Sequence, residues 1–105
     1  MKLKYINGAF TKGMAQGEIE VTDPGLFERY REEVLPVVTK YGGRFIVRGG
    51  RVEPLEGGWT PQRMVALAFP SMEHARRWFR SPEYAGLVPL RRQGSRVKLV
   101  LLEGL

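Results

Sequence analysis

Between Tyr41 and Trp59 the chain reads YGGRFIVRGGRVEPLEGGW, with three Gly-Gly pairs in one short stretch. No helix persists through such a stretch, because glycine loses more backbone freedom on ordering than any other residue. Between the first two pairs the side chains alternate, which is the period of a strand. The reading is therefore a helix stop at Gly42 and Gly43, a strand Arg44–Arg48, and a two-residue hairpin turn at Gly49 and Gly50. Positive φ is cheap there for glycine. A returning arm, Arg51–Leu55, then pairs with the strand. In that register Val47 faces Val52, Phe45 faces Pro54, and Arg48 lies opposite Arg51. Pro54 has no N–H, so the arm is expected at a sheet edge. Gly57 and Gly58 loosen a loop that carries Trp59.

The flanking segments supply the other elements. MAQGEIEVT, from Met14, alternates weakly and is read as a strand with Ala15, Gly17, Ile19 and Val21 on one side. Asp23 and Pro24 form a helix start, cap then first-turn proline. Phe27, Tyr30, Val34, Val37 or Val38, and Tyr41 then recur at helical spacing, and Pro36 is expected to kink the helix. QRMVALAFP is apolar on both faces beyond Arg63, so it is expected at the sheet centre. Ser71 caps a helix with Met72, Ala75, Trp78 and Phe79 inward. Ser81 and Pro82 open another, to about Gln93. RVKLVLLE closes the chain as a buried strand. With the hairpin arm set aside as an insertion, the order is βαββαβ, an α+β ferredoxin-like plan.

Composition bounds the function classes. The 105 residues include no cysteine and one histidine, so thiolate chemistry and cysteine metal sites are excluded. No stretch reaches the ~20 apolar residues of a membrane span. Met1 to Phe10 has no apolar core of the kind a secretory signal needs, and the chain reads as cytoplasmic. Of the net charge of +6, three positive charges (Lys2, Lys4, Lys12) fall before Gly13. Residues 1–13 are therefore read as an N-terminal extension or leader, and residues 14–105 as a single domain.

VTDP, KYGGRFIVRGG, VEPLEGGW, RMVALAFPS and WFRSPEY, in that order, resemble the bacterial family known as domain of unknown function 1330. The likeness runs from about Val21 to Gly104. MAQGEIE departs from it, being polar and small where the family carries an aromatic and aliphatic run. The resemblance implies a dimeric α/β barrel, in which the ferredoxin-like sheet of one protomer packs on that of its partner. It implies no particular reaction. Related families include haem-degrading and quinol-type monooxygenases and lactone isomerases. They use a pocket between sheet and helices, often with no cofactor, and none is expected here. Haem enzymes of this kind carry a histidine after a tryptophan, and no histidine follows Trp78.

The residues themselves leave two readings of the site. Arg48 and Arg63 either find internal acids, with Glu53 and Glu56 the nearest candidates, or point into a pocket and hold an organic anion by a forked contact. Tyr30, Trp78 and Tyr84 either fill core or lend a polar edge to that pocket. These five are the candidate ligand-binding residues, and no catalytic residue is assigned. Ser71 and His74 need a third, orienting group to act as a nucleophilic pair, and His74 is read as a helix-start residue. No metal-ligand pattern occurs. Arg76, Arg77, Arg80, Arg91, Arg92 and Arg96 form a basic stripe, read as a solvated face because exposed aromatics to stack bases are lacking. The expected partners are a second copy of the chain and a small organic anion, with neither membrane nor nucleic acid. The alternative is a structural or interaction module without a ligand.

Overall fold

The computed structural model describes residues 12–105. Its elements run β1 (Gly13–Val21), α1 (Pro24–Lys40), β2 (Arg44–Arg48), β3 (Arg63–Phe69), α2 (Met72–Phe79), α3 (Pro82–Gly94) and β4 (Ser95–Glu103). All but two residues of the expected extension lie outside the described part, and β1 already includes Gly13. The strands form one antiparallel sheet in the order β2-β3-β1-β4. This is the ferredoxin-like βαββαβ arrangement, with helices on one face.

Local signals account for the elements. Asp23 Oδ1 accepts from the Leu26 N–H at 3.1 Å, and Pro24 occupies the first turn of α1. Phe27, Tyr30, Val34 and Val38 point from α1 into the core. The helix continues through Pro36 and stops where Gly42 takes φ 84° and Gly43 N–H returns to the Val38 carbonyl at 2.9 Å. Ser71 and Ser81 cap α2 and α3 by accepting from the N–H groups of His74 and Tyr84. The Gly94 carbonyl accepts from Thr22 and Asp23, at 2.9 and 3.1 Å, which ties the end of α3 to the start of α1.

Three expectations are corrected. The hairpin arm does not form a strand: residues 51–62 are irregular, and β2 pairs with β3 instead, through a bulge between Phe45 and Val47. Gly49 has the positive φ, 74°, but Gly50 does not, and Gly49 N–H extends the β2–β3 contact by donating to the Met64 carbonyl at 3.0 Å. The local hairpin would set Arg48 against Arg51 and rest on Pro54, with little apolar surface to offset both. Trp59 Nε1 donates to Glu18, and Gln62 accepts from Val21 N–H, so the loop is tied back to β1. Phe79 is 46% exposed: at the last position of α2 it lies against the Trp78 and Tyr84 rings with its other side in solvent. β4 is an edge strand, with Val97, Leu99 and Leu101 partly buried on one face and Val100 and Leu102 exposed on the other. β3, by contrast, is central and buried from Val65 to Phe69.

Strand register assigns the two faces. Arg63, Val65, Leu67, Phe69, Phe45, Arg48, Ile19, Val97 and Leu99 face the helices. Met14, Val47, Ala66, Ala68, Val100 and Leu102 share one end of the opposite face with Gln16, and among the described residues no helix lies over it.

Candidate functional site

The inner sheet face, α1 and α3 enclose a cavity of about 50 Å³, measured as room open to the centre of a water molecule. That is space for several waters or the edge of a small ring. A shallower depression of about 440 Å³ shares Phe27, Gly49 and Arg63 with it, which places the opening at Gly49 and Arg63. All five candidate residues, Tyr30, Arg48, Arg63, Trp78 and Tyr84, line this one cavity.

Each arrives from a different element. Arg48 lies opposite Val65 in the β2–β3 ladder, and Arg63 lies opposite Ile19 in the β3–β1 ladder, so both face inward. The Arg48 guanidinium sits 4.2 Å from the Phe45 ring and donates to the Arg31 backbone carbonyl at 2.6 Å. Burial, then the neighbouring Arg31, pull its pKa below the ordinary guanidinium value. Arg63 lies 5.1 Å from the Phe27 ring. Among the described residues neither Arg48 nor Arg63 forms an ion pair. Glu53 pairs with Arg51 instead, at 2.7 Å and fully in solvent. The internal acids proposed as partners for Arg48 are therefore not engaged with it.

Tyr30 and Tyr84 meet with their hydroxyl oxygens 3.2 Å apart, both rings buried. Arg91 Nη1 donates to the Tyr84 hydroxyl at 2.7 Å. Arg91 was assigned by sequence to the solvated stripe. It instead reaches the cavity from α3, seven residues after Tyr84 and so on the same side of the helix. Burial, reinforced by Tyr84, pushes the Tyr30 pKa far above the usual phenol range, against the pull of Arg91 and Arg48, so Tyr30 keeps its proton. Trp78 stacks obliquely on Tyr84 at 4.5 Å, and its buried Nε1–H has no acceptor among the described residues. The rest of the lining is apolar apart from Arg31, and no acid contributes to it.

Just outside, the end of α1 is clamped to the start of α3. Glu83 accepts from Lys40 and, at 2.7 Å, from the Tyr41 hydroxyl. The Lys40 contact first, then Tyr41, hold the Glu83 carboxyl down at about 2. A depressed carboxyl stabilises the fold above its unfolded pKa, near 4.3, and that contribution is lost as pH falls towards the folded value. Glu83→Gln is expected to lower the thermal midpoint modestly at neutral pH and to flatten its dependence between about pH 4.5 and 2. Parallel acid-limb melting curves for the two proteins would show that the clamp contributes nothing.

Ser71 Oγ lies 2.7 Å from His74 Nδ1, so these two do meet. The contact belongs to the α2 cap, no orienting group engages the other ring nitrogen among the described residues, and neither residue lines the cavity. Among the described residues no group of histidines and acids could hold a metal ion, and no helix is long and apolar enough to cross a membrane.

A four-stranded antiparallel sheet in this order, backed by helices over an inner cavity, defines a ferredoxin-like α/β-barrel domain. Solved structures of that shape align along nearly the whole chain. A protein of unknown function from Rhodopseudomonas palustris is 16% identical over 99% of this chain and 90% of its own, with a TM-score of 0.73. SnoaB, a cofactor-independent oxygenase from Streptomyces nogalater, is 15% identical over 90% and 94%, with a TM-score of 0.63. A putative antibiotic biosynthesis monooxygenase from Nitrosomonas europaea is 14% identical over 90% and 92%, with a TM-score of 0.51. No curated protein sequence matches the chain. The chain belongs to the family described as domain of unknown function (DUF1330), whose model matches residues 12–105.

Proposed function

We propose that this domain binds a small organic acid or aromatic metabolite in the cavity between sheet and helices, with Arg48, Arg63, Tyr30, Trp78 and Tyr84 as the contacts. One observation carries the reading: the polar and aromatic residues of the lining are arginines, two tyrosines and a tryptophan alongside phenylalanines, with no acid among them. Such a lining is complementary to an anionic oxygen on an apolar body. The reading extends to cofactor-free chemistry on the bound ligand, in keeping with the fold shared with SnoaB. A thermal-shift screen over aromatic and aliphatic carboxylates and quinones tests it. A ligand at 100 times its Kd is expected to add about 2.7 kcal/mol of apparent stability. A screen in which no acid or quinone moves the midpoint would dismiss a ligand-binding role.

The proposal includes a cytoplasmic homodimer. Val47, Val100 and Leu102, 44%, 55% and 43% exposed, lie with Met14 around Gln16 on the sheet face turned away from the described helices, where a second copy would cover them. Light scattering at micromolar concentration is expected to give about twice the 11.9 kDa of one chain. A monomer mass there would refute the pairing.

A further inference from the structure

We infer that the cavity selects its ligand by what the ligand can accept: it takes an oxyanion (phenolate, enolate or carboxylate) on an apolar body, seated on a spare proton of the Tyr30–Tyr84 pair that Arg91 polarises. This rests on the ligand-binding reading above and names the ligand class and the groups that recognise it.

Counting protons gives the argument. Two phenols carry two hydroxyl hydrogens, and only one of them can lie between oxygens 3.2 Å apart. The other must point elsewhere. Arg91 cannot take it, because a guanidinium only donates, and its Nη1 already gives a hydrogen to the Tyr84 oxygen at 2.7 Å. No other hydrogen-bond partner reaches either hydroxyl among the described residues. Whichever phenol donates to the other, one O–H is left over, and both side chains line the cavity. Trp78 packs on Tyr84 at 4.5 Å and closes the same wall with its ring.

A ligand that displaces water from the cavity must match the O–H left facing it or lose a hydrogen bond there, and a ligand that brings an acceptor does so. Arg91 strengthens the arrangement. Its charge draws electron density from the Tyr84 oxygen and makes the pair a better donor, as each bond in a chain polarises the next. Arg91 thus acts as a positioning residue through Tyr84. A neutral ring lacking an oxygen leaves that O–H unmatched, and a ligand with only donors meets a donor.

The proton count makes an unusual mutational forecast, because removing either hydroxyl still leaves the other with a free hydrogen. The test uses the full chain with 4-nitrophenol in slightly alkaline buffer, where it is largely the phenolate and reports binding through its visible absorption. Nitrobenzene, the same ring and nitro group without the phenolic oxygen, is followed by competition. The phenolate is expected to bind about tenfold tighter or more. Tyr30→Phe or Tyr84→Phe alone should weaken it less than about threefold, while the double variant should lose about tenfold or more and leave nitrobenzene unchanged. Arg91→Met should weaken the phenolate alone, with Arg91→Lys restoring part of it. Melting curves without ligand check that each variant is folded. If the double variant holds the phenolate as tightly as the parent, or each single variant loses as much as the double, the inference falls while the cavity still stands as a binding site. If neither compound binds the parent, both the inference and the reading beneath it fall.

Discussion

Replacing Trp78 with alanine is expected to remove about 3–5 kcal/mol of stability and to lower the thermal midpoint by roughly 12 °C or more. Trp78 is 2% exposed, with its ring 4.5 Å from Tyr84, 5.5 Å from Phe69 and 6.0 Å from Phe79. Only it and Ala75 are buried on α2, so most of the apolar surface that holds the helix to the sheet belongs to one side chain. Its loss would also widen the existing cavity, which the surrounding rings cannot close without moving. The unmatched indole N–H works the other way, since removing a buried donor without an acceptor recovers some free energy. Trp78→Phe, which keeps a ring and drops the N–H, should therefore lose much less. Circular dichroism melting curves measure both. A fall of under about 5 °C for the alanine variant would mean that α2 is held by its caps and flanking turns.

Arg48→Met is expected to do the opposite: leave stability within about 0.5 kcal/mol of the parent and abolish stabilisation by aromatic anions. Arg48 has a hydrogen bond to the Arg31 carbonyl and a ring beneath it, but no carboxylate partner among the described residues. Its charge is carried at a cost, as its lowered pKa records, with burial the larger cause and Arg31 the next. Methionine keeps much of the packing on Phe45 and removes that cost. Had Arg48 been paired with a buried acid, the same change would leave an unpartnered charge and cost several kcal/mol. A large drop in the midpoint would assign Arg48 a structural role. An unchanged midpoint with undiminished anion response would remove it from the binding site.

The parts of the fold set by neighbouring residues were legible in the sequence. Asp23 with Pro24, Ser71, and Ser81 with Pro82 mark helix starts through contacts only three residues long, and the structure places a cap at each. Tyr30, Arg63, Trp78 and Tyr84 reach one cavity because strand alternation and helical spacing already put them on inward faces; plain alternation would have turned Arg48 outward. The failures are non-local. Arg44–Arg48 has its partner in β3, beyond a loop, and nothing in the local pattern weighs that ladder against the nearer hairpin. The bulge at Ile46 has no separate signal, yet it fixes the register that turns Arg48 inward. Arg91 was lost among neighbouring arginines. Its seven-residue spacing from Tyr84 was the available sign, since that interval brings two residues back to one side of a helix.

The irregular stretch between β2 and β3 also says where this chain can change length. From Gly50 to Pro61 the backbone makes no ladder bond. Leu55 is 95% exposed, and a side chain added at Gly50 would meet nothing. The sheet is anchored on either side of it, by Gly49 on Met64 and by Gln62 on Val21. Closing a longer loop between fixed ends costs only about 0.6 kcal/mol for each doubling of its length. Added residues near Glu56 would therefore extend outward with little effect on strand register or helix docking. This corner of the molecule can take on a peptide tag or a whole inserted module while the sheet and helices beside it keep their shape.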